Sequence, residues 1–132
     1  MFKLSDNVAV SGQITPQDVV EIAEAGYKVL INNRPDGEEG GQPSNADIEA
    51  AAVEAGLEYH YMPVNAMNFP GDAIDQMADF FDDESRPVFA FCRTGTRCTN
   101  LWLVTRAEEE RMEAAGHAQG LGFDLGMAAR VL

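Results

Sequence analysis

Pro87-Val-Phe-Ala-Phe-Cys-Arg-Thr-Gly-Thr-Arg-Cys-Thr99 sets an apolar run, a polar loop and the approach to a helix in unbroken succession. Pro87 to Phe91 is long enough for one buried strand. Cys92 to Arg97 is the loop, and Asn100-Leu-Trp-Leu-Val-Thr reads as a helix. Strand, tight loop and helix together aim backbone N–H groups and a helix N-terminus at an anion. Cys92 stands at the mouth of that cradle. The helix end and two nearby cations, Arg93 and Arg97, favour its thiolate, which is the nucleophilic form. Gly95 permits a left-handed backbone or a ligand's close approach. A structural cysteine closing a strand is the plainer alternative, since free cysteines are often buried. It leaves the two arginines and the glycine unexplained.

Working outward, three further strands and their helices are legible. Asn7 to Val10 reads as a short strand at the sheet edge. Thr15-Pro16-Gln17-Asp18 is a helix start with a threonine cap, proline in the first helical position and an acid in the first turn. That helix stops at Gly26. Lys28 to Asn32 is a β-branched strand, and Ser44 caps a second helix that ends at Gly56. Leu57 to Met62 is the next strand and Asp72 to Phe81 the third helix. Strands alternating with helices predict a mostly parallel α/β sheet flanked by helices, in one domain over residues 1–132. Beyond Thr105 the pattern predicts one helix broken near Gly116 to Gly122 and a short one from Gly126. The run Glu108 to Glu110 is a solvated face.

In such a sheet the ligand site lies beyond the carboxyl ends of the strands. The loops opening at Asn33, Pro63 and Cys92 share that edge. Arg34 could therefore reach an anion at Cys92, or pair with Asp36 or Glu38 in its own loop. Backbone N–H groups across Arg93, Thr94, Gly95, Thr96 and Arg97 form the substrate cradle, with Arg97 neutralising the bound anion. Cys98 reads either as a small buried side chain or as a thiol that resolves an oxidised or persulfidated Cys92.

The 132 residues carry a net charge of −13, which argues against nucleic acid and anionic membrane surfaces as partners. No stretch has the length of a membrane span, and the first residues lack a signal-peptide core. Two cysteines in such a chain predict free thiols in the cytoplasm. His60, Cys92, Cys98 and His117 have no zinc-ligand spacing, so neither metal nor cofactor is expected.

The loop resembles two designs. Protein tyrosine and dual-specificity phosphatases place five residues between cysteine and arginine, whereas four separate Cys92 from Arg97. That shorter loop is similar to rhodanese-type sulfurtransferases. A wider pattern resembles the phosphatase-like domain of the beta-lactamase-hydrolase-like (Blh) proteins. It comprises Gly12-Gln-Ile-Thr-Pro, Ile31-Asn-Asn-Arg-Pro-Asp-Gly-Glu, Gln42-Pro-Ser and Phe91-Cys-Arg-Thr-Gly-Thr-Arg with Leu101-Trp, from about Val8 to Trp102. This resemblance implies a protein-tyrosine/dual-specificity-phosphatase-like fold, with phosphatase or sulfurtransferase activity and, for the latter, a persulfide dioxygenase partner.

Dual-specificity phosphatases carry a general-acid aspartate in runs like Pro-x-x-Asp, and Ala66 holds its place in Pro63-Val64-Asn65-Ala66. Asp72 and Asp36 are surrogate candidates. The serine or threonine that follows the arginine in phosphatases is Cys98 here. A smaller cradle without an acid suits sulfur, because sulfane transfer to a good leaving group needs no proton donor. The expectation is therefore a sulfurtransferase working through a Cys92 persulfide with a small anionic sulfur donor. The alternatives are a phosphatase-type hydrolase using a phosphate donor and a Cys92 phosphocysteine, and a non-catalytic anion-binding or redox-sensing module.

Overall fold

The structure is a computed structural model that describes residues 1–132. Five strands form one sheet: β1 (Phe2–Ser5), β2 (Val8–Ser11), β3 (Val29–Asn32), β4 (Glu58–Tyr61) and β5 (Val88–Phe91). Their spatial order is β1-β2-β5-β3-β4, with β1 antiparallel to β2 and every other pair parallel. The expected edge strand is corrected by this order. Residues 8–11 lie inside the sheet, because Phe2–Ser5 folds back as a hairpin and takes the edge. Phe2 is anchored there by an edge-on contact with Phe123, ring centroids 5.0 Å apart.

The helices are α1 (Pro16–Glu24), α2 (Asn45–Glu54), α3 (Ile74–Asp82), α4 (Thr96–Val104), α5 (Arg111–Gly120) and α6 (Gly126–Val131). Thr15 and Asp18 close a reciprocal capping box, and Ser44 Oγ accepts from the N–H of Asp47. Three helices depart from expectation. α3 begins at Ile74 rather than Asp72, and α4 begins four residues earlier than Asn100. α5 runs unbroken through Gly116, preceded by a 3-10 turn at Glu108–Glu110, whose side chains are exposed as expected.

Alternating side chains of the central strands feed two cores, as a sheet covered on both faces requires. Ala9, Leu30, Phe89 and Phe91 pack with Val19, Ile22, Ile48 and Ala52 of α1 and α2. Val10, Ile31 and Ala90 pack with Met77, Phe81, Leu101 and Trp102 of α3 and α4. The parallel register aligns Ser11, Phe91, Asn32 and Tyr61 as the ends of four adjacent strands. The loops leaving all four therefore emerge along one edge, and β5, at the sheet's centre, delivers Cys92 to the middle of it.

Candidate active site

Phe91 is fully buried and hands the chain directly to Cys92, which is also fully buried rather than open at a mouth. The loop turns back over its sulfur. Gly95 adopts φ +90°, which an L side chain resists, and caps α4. Its N–H points to Cys92 Sγ at 3.1 Å. Thr99 Oγ1 bonds the Gly95 carbonyl at 2.8 Å, and Asn100 Nδ2 bonds Thr96 O at 2.8 Å, so the first turn of α4 is tied from within.

The thiol of Cys92 is lowered to about 6. The largest cause is the hydrogen bond from the Cys98 thiol; burial opposes it, and the backbone N–H groups of Cys98, Thr94 and Gly95 add to it. Cys98 is pushed well above its ordinary value, first by burial and then by donating to Cys92. One sulfur is thus held as thiolate and its neighbour as thiol. The main lowering effect comes from Cys98, where the sequence pointed to the helix end and Arg97.

Arg97 leaves the first turn of α4 toward the loop after β3. Its Nη1 and Nη2 grip both oxygens of Glu38, at 2.8 and 2.7 Å, and Nη1 also bonds Val64 O at 2.9 Å. Burial works against its charge, while Glu38 and the Cys92 thiolate more than restore it. Arg34 joins the same carboxylate: its Nε lies 3.0 Å from Glu38 Oε1. Its Nη1 bonds Gln13 Oε1 at 3.0 Å, and its side chain is only 3% exposed. Of the two readings of Arg34, the structure shows the pairing with Glu38. Arg93 projects outward and meets Glu39 at 3.1 Å. Thr94 and Thr96 bond each other through their hydroxyls at the outer rim.

The two surrogate acids are not brought to the sulfur by any bond. Asp36 Oδ1 accepts from the Asn45 N–H at 2.7 Å and so starts α2. Asp72 lines a cavity of about 230 Å³ with Pro63, Val64 and Ala73, which takes no wall from residues 92–97. His117 bonds Lys3 O at 2.9 Å, on β1, and forms no dyad with Cys92.

The sequence reading missed two contributors. Glu38 had been weighed only as a loop partner for Arg34; nothing local announces that it reaches Arg97. Gly12 passes under the cradle so closely that a Cβ there would stand 2.9 Å from Arg93 O, and Gln13 N bonds that same carbonyl at 3.3 Å. The stretch Gly12-Gln-Ile-Thr-Pro, quoted for the family resemblance but given no role at the site, was the available signal.

A family model described as "Beta-lactamase hydrolase-like protein, phosphatase-like domain" matches residues 1–109. A Beta-lactamase hydrolase-like protein of Xylella fastidiosa is 35% identical over 130 residues, covering 95% of this chain but 30% of the relative. The chain thus spans under a third of that relative's length. The crystal structure of a candidate phosphatase from Neisseria meningitidis superposes with a TM-score of 0.81 at 36% identity, covering 98% of this chain and 94% of that one. Pseudomonas aeruginosa TpbA, solved with pTyr, shares the fold at a TM-score of 0.62 and 15% identity, over 96% of this chain and 78% of its own. With its cysteine loop at the carboxyl edge of a protein-tyrosine-phosphatase-like sheet, the chain belongs to the phosphatase-like domain family of the beta-lactamase hydrolase-like proteins.

Proposed function

We propose that this domain is a phosphatase-type hydrolase in which the Cys92 thiolate attacks the phosphorus of a small phosphate ester and a phosphocysteine is the intermediate. The observation that carries the reading is the sulfur itself: a buried Cys92 at a strand-to-helix junction, bonded by the Gly95 N–H at 3.1 Å, its thiol lowered to about 6, with Arg97 in the first turn of the helix that follows. In this reading, backbone N–H groups from Arg93 to Arg97 bind the phosphoryl oxygens, as helix N-termini do. The phosphatase-like relatives favour phosphorus over the sulfur chemistry that the short loop first suggested. The same proposal has the domain working in a reducing compartment, a reading supported by its two free cysteines, Cys92 and Cys98.

One observation keeps sulfur transfer through a Cys92 persulfide as a second reading. The loop after β4 offers no acid near its tip: Asn65 and Asn68 close it on each other, with Asn65 N bonding Asn68 Oδ1 at 2.7 Å, and position 66 is alanine. A persulfide dioxygenase partner belongs to that second reading alone.

Aryl-phosphate hydrolysis, thiosulfate:cyanide transfer and glutathione-persulfide transfer, measured side by side with Cys92→Ser as control, separate the two. The phosphatase reading expects repeated turnover of aryl phosphate and none in Cys92→Ser. A single sulfur mass on the intact protein, removed by cyanide, without phosphate turnover would replace it with the second reading. Indifference to every donor would leave a non-catalytic anion-binding or redox-sensing module.

A further inference from the structure

The anion clamp already contains carboxylates. Arg34, Arg93 and Arg97 bring three positive charges to the edge, while Glu38 and Glu39 bring two negative ones. With Cys92 as thiolate, those six groups sum to zero. A doubly charged ligand would leave −2 there and a singly charged one −1, in a molecule that carries −13 overall. Glu38 is the decisive group, because it bonds two of the three guanidiniums and sits directly on Arg97.

The geometry adds direction. Glu38 takes the Nη1–Nη2 edge of Arg97, and the other Nη1 hydrogen goes to Val64 O. The remaining edge, Nε–H with the second Nη2–H, has no protein partner. A guanidinium edge of this kind matches two oxygens of one ligand. Glu38 therefore leaves Arg97 able to clamp an anion while cancelling much of its charge.

We propose that Glu38 is the specificity-determining residue of this site, making it select singly charged donors, so that a phosphate monoester enters as its monoanion. The proposal rests on the phosphatase reading and deepens it. A monoanionic monoester carries its own proton, which accounts for a site without a general acid at position 66. The Cys92 Sγ–P bond forms as the P–O bond to the leaving group breaks. The proton on the phosphoryl group ends on the leaving oxygen. Thiolate and monoanion together carry −2, and the phosphocysteine dianion carries the same −2; nothing is oxidised or reduced.

The test uses two ligands of nearly the same shape and fixed charge, benzenesulfonate (one negative charge) and phenylphosphonate held well above its second ionisation (two). Each is titrated as a protector of Cys92 against iodoacetamide in wild type, Glu38→Gln and Glu38→Asp, with thermal midpoints to verify folding. Wild type should be protected at least as well by the sulfonate. Glu38→Gln should shift the ratio toward the phosphonate by roughly tenfold or more, since a neighbouring unit charge has been removed. Glu38→Asp keeps the charge and should keep the wild-type ratio. With aryl phosphate, wild-type kcat/KM should fall above the ester's second ionisation near pH ~6, and Glu38→Gln should extend activity to higher pH. An unchanged ratio in folded Glu38→Gln, or a wild type that prefers the dianion, overturns the proposal and leaves the phosphatase reading standing. Protection by neither anion in any variant overturns the anion cradle, and the phosphatase reading with it.

Discussion

Two sulfurs and one guanidinium decide the chemistry at the residue scale. Cys98, buried and held as a thiol, donates to Cys92 and is the largest cause of its lowered pKa. Removing that donor in Cys98→Ala should raise the alkylation midpoint of Cys92 from about 6 toward the ordinary cysteine value. A pH series with iodoacetamide measures this, and an unmoved midpoint would assign the activation to the backbone alone. The same shift acts on stability. Because the folded pKa lies below the unfolded one, the thiolate contributes fully above the unfolded value of about 8.5 and loses its contribution as pH falls through about 6. Thermal midpoints of wild type measured against Cys92→Ser should diverge across that window, with the difference shrinking at its acid end. Arg97→Lys retains charge but loses the planar fork that holds Glu38 with two bonds. Turnover should drop roughly 10²–10³-fold with little change in folding, the scale of a lost oxyanion donor.

At the scale of elements, the site is the joint between β5 and α4, made rigid by ties to its neighbours. Asn100 is fully buried and uses both ends of its amide: Nδ2 bonds Thr96 O and Asp124 O, and Oδ1 accepts the Ala128 N–H at 2.9 Å. It pins α4 to α6 directly behind the cradle. Asn100→Ala strands those groups and should cost about 1–3 kcal/mol in denaturant unfolding. On the other side, the end of β2 presses Gly12 against Arg93 O. Gly12→Ala places a Cβ within 2.9 Å of a backbone oxygen, which cannot yield as a side-chain tip would. The loop must shift, so activity should suffer more than the unfolding midpoint; comparing the two loss by loss reads this out.

On the scale of the whole molecule, acidic charge surrounds an edge whose three arginines are balanced by Glu38, Glu39 and the Cys92 thiolate. In the proposed reading an anionic substrate approaches against the long-range field and is held only by short-range contacts. Raising salt from low ionic strength toward ~0.15 M, where the Debye length is about 8 Å, should therefore raise kcat/KM for an aryl phosphate; a steered site would show the opposite. The same distinction between near and far separates what each level of description contains. Thr15 and Ser44 as caps, the buried strand before Cys92 and the glycine-bearing loop after it are all local. Each rests on propensity, hydrophobic period or turn chemistry within a few residues, so the sequence by itself determined the alternation of strands and helices and the cysteine loop at its carboxyl edge. The interior place of β2, the reach of Glu38 to a guanidinium 59 positions away and the seat of Gly12 beneath Arg93 were decided only by tertiary structure. Those pairings follow from strand order and register, which bring distant loops to one edge, and no local preference of the chain records which of them will meet.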